Sequence, residues 1–192
     1  MLHCFLLLLP TLLVMPEKIL TWPYLVFGSA VIAAAIVESQ SLSARNVWTA
    51  SDGIVADMWA QRVAQIVGLV LFTLFWLAQA EALWQASDVE PWLCLCGAIL
   101  VAVGVGLRAV AIRTLGRHFV SDIRVEQVVR TGVYRWLRHP SEIGLVMMAT
   151  GVPLLLGSTT SSFLALFILT PFSLWRVGRE EAALRLADHE KR

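Results

Sequence analysis

The sequence predicts an all-α, polytopic membrane helix bundle of about five transmembrane helices, the last two a helical hairpin, with a cytoplasmic amphipathic helix at the C-terminus. Three observations predict it. Of 192 residues, 58% are apolar and 15% charged, and the mean hydropathy of +0.72 lies far above what a water-soluble domain tolerates. Residues without Asp, Glu, Lys or Arg gather into long runs, and the arginines gather between and after those runs. A soluble cytosolic enzyme is excluded. Fifteen Lys and Arg against fourteen Asp and Glu leave a formal charge of +1, so nothing global attracts DNA or RNA, and no nucleic-acid partner is expected.

The charge-free runs are residues 1–16, 19–37, 63–80, 91–107 and 143–175. A spanning helix needs roughly 20 mostly apolar residues to cross about 30 Å of hydrocarbon, so the second, third and fourth runs are each one helix. The last run holds 33 residues, and as one helix it would reach about 50 Å, more than a bilayer accepts even with tilt. It divides at the turn-forming cluster Gly157-Ser158-Thr159-Thr160-Ser161-Ser162 into a hairpin of two short helices. Each half then needs a thinned bilayer or cover from other protein. The first run resembles a signal h-region but lacks a basic start and is interrupted by Pro10 and Pro16, so it reads as a short membrane segment.

Orientation follows from the loops. Arg113, Arg117, Arg124, Arg130, Arg135 and Arg138 crowd one stretch against Asp122 and Glu126, whereas the loop around Asp88 and Glu90 has no Lys or Arg. By the positive-inside rule the arginine-rich stretch is cytoplasmic. The tail with Arg176, Arg179, Arg185, Lys191 and Arg192 is cytoplasmic too, which requires an even number of crossings between Arg138 and Arg176 and independently supports the hairpin.

A tether to anionic lipid would account for the charges but not for what stands among them: Leu115-Gly116-Arg117-His118-Phe119, then Gly132-Val133-Tyr134-Arg135-Trp136-Leu137-Arg138-His139-Pro140. Gly132 suits a tight turn, and Pro140 holds His139 extended at the start of the next helix. There, backbone N–H groups and the helix dipole favour an anionic group. In the tail, Arg176 with Glu180 and Glu181 with Arg185 are spaced four apart, which alone describes a solvated amphipathic helix. The hairpin returns Glu180 and Glu181 to the membrane face that carries His139, so acids, arginines and a histidine converge at one boundary.

Gly104-Val105-Gly106-Leu107-Arg108-Ala109 fits a G-x-G-x-x-A dinucleotide fingerprint, but that fingerprint works only in the turn between a strand and a helix, and this one lies within a membrane helix. It reads as a small-residue face for close helix packing, the alternative being close approach of a ligand to the backbone. Glu81, flanked by Gln79 and Gln85, reads as reaching the outer interface, and Trp22, Trp84 and Trp92 as interfacial belt residues. Cys4, Cys94 and Cys96 form no disulfide framework, and His3, His118 and His189 have no metal-ligand spacing, so no metal is expected.

The order of these elements is informative: Gly104 and Gly106 leading into Arg113-Thr114-Leu115-Gly116, then Gly132-Val133-Tyr134, Arg138-His139-Pro140, a hairpin, and Arg176 followed by Glu180-Glu181. Over roughly residues 100–185 the chain resembles the isoprenylcysteine carboxyl methyltransferase family of integral membrane enzymes, whose plan related phospholipid N-methyltransferases share. The resemblance implies one integral membrane domain over 1–192, with N-terminal transmembrane helices in 1–112 and a catalytic half in 113–192. It further implies an S-adenosylmethionine site formed by Gly104, Gly106, Tyr134, Arg138, His139, Pro140, Glu180 and Glu181. Arg176 would contact a substrate carboxylate, and were the acceptor an amine, which must lose a proton, His139 or a carboxylate would serve as the base. The implied partners are a lipophilic substrate entering from the bilayer and the membrane lipids themselves, with the active site at the cytoplasmic face. Carboxyl O-methylation of a prenylcysteine-like acceptor comes first. The alternatives are phospholipid or small-amine or thiol N- or S-methylation, and a relative that binds cofactor or lipid without turnover. Glu142 stands where the family usually has Tyr, and the family's usual Gly- and Tyr-containing segment does not follow Glu181. Both departures bear on the acceptor end of the pocket.

Overall fold

The computed structural model describes residues 21–49, 58–84, 90–115 and 131–190. The first apolar run, Asp88, residues 116–130 of the arginine-rich stretch, and the side chains of Glu180 and of residues past 182 lie outside the described residues. The elements are α1 (Trp22–Thr49), α2 (Met58–Trp84), α3 (Pro91–Leu115), a 3-10 turn (Gly132–Arg135), α4 (Pro140–Leu155) and α5 (Thr159–Glu190). Among the described residues there is no strand.

Over their described residues the second, third and fourth charge-free runs each sit in one helix and the last is divided between α4 and α5, and the helices overrun the runs because charged residues near a span's end reach water without breaking the backbone pattern. Thus α3 starts at Pro91, whose missing N–H costs nothing in the first turn, and continues past Arg108 to Arg113 in its last turn, where a cation complements the dipole. Two segments, Pro91–Thr114 of α3 and Thr159–Arg179 of α5, are long and apolar enough to cross a membrane; Trp22–Ala34, Gln65–Glu81 and Pro140–Leu155 are shorter apolar stretches. Outward-facing Leu95, Ile99, Val103, Phe163, Phe167 and Leu174 leave a broad apolar surface of a kind that soluble monomers do not expose.

The hairpin forms, with a tighter break than the six-residue cluster implied. Ser158 N–H donates to the Pro153 carbonyl at 2.9 Å and Gly157 N–H to Leu154 at 3.0 Å, with Gly157 at φ 89°: the paired bonds of a Schellman stop. Ser158 Oγ accepts the Ser161 N–H at 3.1 Å and so caps α5, and Thr159 is already helical. The separate tail helix is a correction. No boundary interrupts the chain near Trp175, and α5 runs for 32 residues through Arg176 and Glu181, because a lone Gly178 in a helical run does not break it.

Because α4 has 16 residues, about 24 Å, it is too short to span alone. It is covered instead: nine of its residues are buried, chiefly beneath α3. Small residues allow that approach. A Cβ on Gly97 would stand 2.3 Å from the Leu155 nitrogen, and one on Gly151 would stand 3.0 Å from the Gly97 carbonyl oxygen. Seven residues along, Gly104 and Gly144 meet in the same way. One buried cluster, Tyr24, Phe27, Ala78, Val101, Val152 and Leu155 among it, joins α1, α2, α3 and α4, so helices from both sides of residue 112 share a core. Glu81 does not simply reach an interface: Ser158 Oγ and Thr160 Oγ1 donate to its carboxylate, which fastens α2 to the hairpin turn.

Candidate active site

The end of the bundle opposite the hairpin turn is assembled by three local devices. Gly132 takes φ 58°, open to glycine at no steric cost, and starts the turn that carries Tyr134, with Tyr134 N–H donating to the Thr131 carbonyl at 3.2 Å. A Cβ there would approach Thr114 to 3.1 Å, so the turn is docked on the end of α3. Next, His139 is the residue before Pro140 and adopts φ −129°, ψ 60°, outside the helix, while its carbonyl accepts the Ile143 N–H at 3.2 Å. Lastly, Arg108 Nη1 donates to Ser141 Oγ at 2.8 Å and to the Ser141 carbonyl at 3.3 Å, which holds the first turn of α4 against α3.

On this platform α5 closes from the other side. His139 Nε2 lies 3.6 Å from Glu181 Oε1, and Arg138 Nη1 lies 3.7 Å from the same oxygen. Arg176 Nη1 lies 3.0 Å from Glu142 Oε1, with side-chain exposures of 37% and 14%. The second Glu142 oxygen, Oε2, is buried and has no hydrogen-bond partner. One turn before Arg176 on α5, Ser173 Oγ is likewise buried and unpartnered. Arg179 stacks on Trp175, its guanidinium 5.2 Å from the ring centroid.

The expected residues are therefore brought together in part. Arg138, His139, Glu181 and Arg176 converge, forty residues apart along the chain. Tyr134 is partly buried in the turn that precedes them. Glu180 is carried on the same helix, but its side chain lies outside the described residues. Pro140 is wholly buried and opens α4 directly after His139. Gly106 has open space on its bare side, whereas the bare side of Gly104 is filled by Gly144 and Met148 of α4; of the two readings weighed for that glycine, close helix packing is the one the structure contains. Arg108 escaped the sequence reading of the site, and so did the pairing of Glu142 with Arg176. Arg108 is the first charged residue after the apolar run 91–107, and Glu142 is an acid in a first helical turn; each position is legible, but their partners Ser141 and Arg176 are not.

Along the outer side of α5 runs an open apolar groove of about 790 Å³, lined by Phe163, Phe167, Thr170, Pro171 and Leu174 among others. The charged cluster can hold a small zwitterion by both signs, and the groove gives the outer side of α5 an apolar face.

A family model described as the isoprenylcysteine carboxyl methyltransferase (ICMT) family matches residues 97–186. The chain is 36% identical over 98 residues to the protein-S-isoprenylcysteine O-methyltransferase of Saccharomyces cerevisiae, covering 48% of this chain and 41% of that protein. It is 32% identical over 111 residues to a probable protein-S-isoprenylcysteine O-methyltransferase of Oryza sativa subsp. indica (55% and 58%), and 29% identical over 129 residues to the enzyme of Rattus norvegicus (65% and 43%). The chain spans about half the length of the curated relatives it matches, and no solved structure matches it. The matched segment begins at Gly97 and ends past Glu181, so it takes in most of α3, the 3-10 turn, the hairpin and every charged pair described above: over residues 97–186 the chain is similar to the isoprenylcysteine carboxyl methyltransferase family.

Proposed function

We propose that this protein is an integral membrane methyltransferase that uses S-adenosylmethionine to methylate the carboxylate of a lipophilic, prenylcysteine-like acceptor. The observation that carries the reading is the convergence of His139, Glu181, Arg138, Arg176 and Glu142 at one end of an apolar hairpin. It is supported by the names of the relatives, all of them isoprenylcysteine O-methyltransferases.

The residues fit such a donor. A zwitterion with an ammonium, a carboxylate and a sulfonium needs both signs of charge within a few ångströms, and the cluster offers two guanidinium groups and two carboxylates. When bound, the donor supplies an electrophilic methyl group on a positively charged sulfur. In this reading Glu181 and His139 hold the donor's polar end, Gly106 leaves room beside α3, and Arg176 orients the acceptor carboxylate. Such a donor would supply its methyl group to an acceptor carboxylate that Arg176 would orient and that is already ionised. No proton moves, so the chain needs no general base. Its part is positioning and exclusion of water. We read all five helices as crossing the bilayer, with α4 sheltered by α3, and the site as cytoplasmic because the arginines cluster on that side.

Purified protein in detergent, given radiolabelled S-adenosylmethionine and S-farnesylcysteine, tests this. Label released as volatile methanol by mild base marks a methyl ester. Absence of saturable donor binding defeats the reading, and base-stable label in the product moves the reaction to nitrogen or sulfur.

A further inference from the structure

Both segments long and apolar enough to cross a membrane end at the level of one short turn. The α3 segment stops at Thr114, against which Gly132 is docked, since a Cβ there would stand 3.1 Å from Thr114 Cγ2. The α5 segment stops at Arg179, and Glu181 just beyond it lies 3.7 Å from Arg138. The turn over residues 132–138 is therefore held where hydrocarbon gives way to headgroups. Arg135, Trp136, Leu137 and Arg138 are all exposed there. Trp136 is 83% exposed, and among the described residues no large apolar side chain is more so. The backbone bend presents it: Trp136 N–H and Leu137 N–H both donate to the Val133 carbonyl, at 3.1 and 3.0 Å. A bare indole is costly in water and favoured among headgroups.

The arginines beside it have N–H groups to give. Arg135 lies 5.9 Å from the Trp136 ring centroid, a cation–π contact that supplies its donors with no oxygen. Arg138 is 88% exposed, and at 3.7 Å from Glu181 Oε1 it stands beyond hydrogen-bond reach. Arg113, exposed in the last turn of α3, adds a cation at the same level. The other end of the bundle has the opposite sign, with Glu81 at the hairpin turn and Glu90 before α3.

We propose that Arg135-Trp136-Leu137-Arg138 is a docking site for an anionic phospholipid headgroup, with Trp136 and Leu137 seated in the interface and both arginines on the phosphate. The unesterified oxygens of a phosphodiester match guanidinium forks, and the glycerol and upper acyl chains border the indole. A soluble phosphate satisfies the arginines but leaves Trp136 and Leu137 in water. A zwitterionic lipid carries its own cation, so a headgroup of net negative charge is preferred. The site needs neither methyl donor nor acceptor, and it stands or falls apart from the reaction proposed above.

Quenching of tryptophan fluorescence tests the proposal, with the full-length protein in phosphatidylcholine vesicles that contain a minor fraction of either brominated phosphatidylglycerol or brominated phosphatidylcholine. The chain has eight tryptophans, so the Trp136 signal is the difference between wild type and Trp136→Phe. Brominated phosphatidylglycerol is expected to quench that signal at an about tenfold lower fraction than brominated phosphatidylcholine, the scale of two surface arginines. Arg135→Gln should reduce the preference by about fivefold, and Arg135→Gln with Arg138→Gln should bring the two lipids within about twofold. Equal quenching by the two lipids overturns the proposal, as do absence of quenching by both and a preference that survives the double variant. Loss of the preference in excess inorganic phosphate at constant ionic strength assigns the arginines to a soluble anion and overturns it also. The wild-type comparison and Arg135→Gln decide the matter even if the double variant does not fold.

Discussion

Gly104 and Gly144 occupy each other's missing side chains: a Cβ on Gly104 would stand 2.8 Å from the Gly144 carbonyl oxygen, and a Cβ on Gly144 2.7 Å from that of Gly104. Both obstacles are backbone and cannot swing aside. Gly104→Ala and Gly144→Ala are each expected to lower stability by about 1–3 kcal/mol, the usual cost of overpacking. Gly106→Ala, two residues away and facing open space, is expected to be neutral or to gain up to about 1 kcal/mol from helix propensity. Thermal unfolding in detergent separates the two cases; equal effects at 104 and 106 would refute the packing role.

Removing Arg176 has two consequences that come apart in a double variant. Arg176→Ala is expected to cut kcat/KM for the acceptor on the order of a hundredfold through lost orientation. It should also lower stability by about 1–3 kcal/mol, because the 14%-exposed Glu142 is left without its partner. Adding Glu142→Gln should restore the melting temperature and leave activity low. Recovery of both would reduce Arg176 to a structural tie.

Glu181 touches His139 and Arg138 from one oxygen, yet the two contacts should not weigh equally. Arg138 is 88% exposed and His139 only 18%, and exposed pairs contribute about 0–1 kcal/mol. Glu181→Gln and His139→Gln are each expected to weaken S-adenosylmethionine binding about tenfold, with the double variant falling short of the product because the residues act together. Arg138→Gln should change it less than fivefold. Calorimetric titration of the four proteins checks the ranking, and strict additivity of the His139 and Glu181 effects would contradict a shared ligand.

Ser158 holds the far end of the hairpin by donating to Glu81 and capping α5. Ser158→Ala is expected to cost about 1–3 kcal/mol, from a lost cap and a carboxylate deprived of a donor. It lies about 24 Å from His139 along α4, so donor affinity should stay within twofold of wild type. A large loss of donor affinity in a protein of normal melting temperature would break this separation of roles.

Much of the architecture is legible in the chain itself. Apolar runs and arginine clusters declare the solvent, and Gly157-Ser158 announces the stop between α4 and α5, because such preferences act within a turn or two of backbone. His139 at the edge of a helix follows from Pro140 for the same reason. The continuity of α5 through Trp175 was not legible: the change from apolar to charged residues looks like a boundary, but a helix passes from lipid to water without altering its hydrogen bonds.

Local composition thus determined that this protein is helical, faces hydrocarbon, folds back once near its C-terminal end and brings its acids and arginines to one end of that fold. Tertiary structure alone decided that Arg108 grips Ser141, that Gly104 packs against Gly144 of α4, and that Arg176 meets Glu142. The reason is one of register. Side chains thirty or more residues apart meet only at particular crossings of α4 with α3 and α5, and those crossings depend on where small residues let two backbones touch, which many apolar sequences permit and only the packed bundle selects.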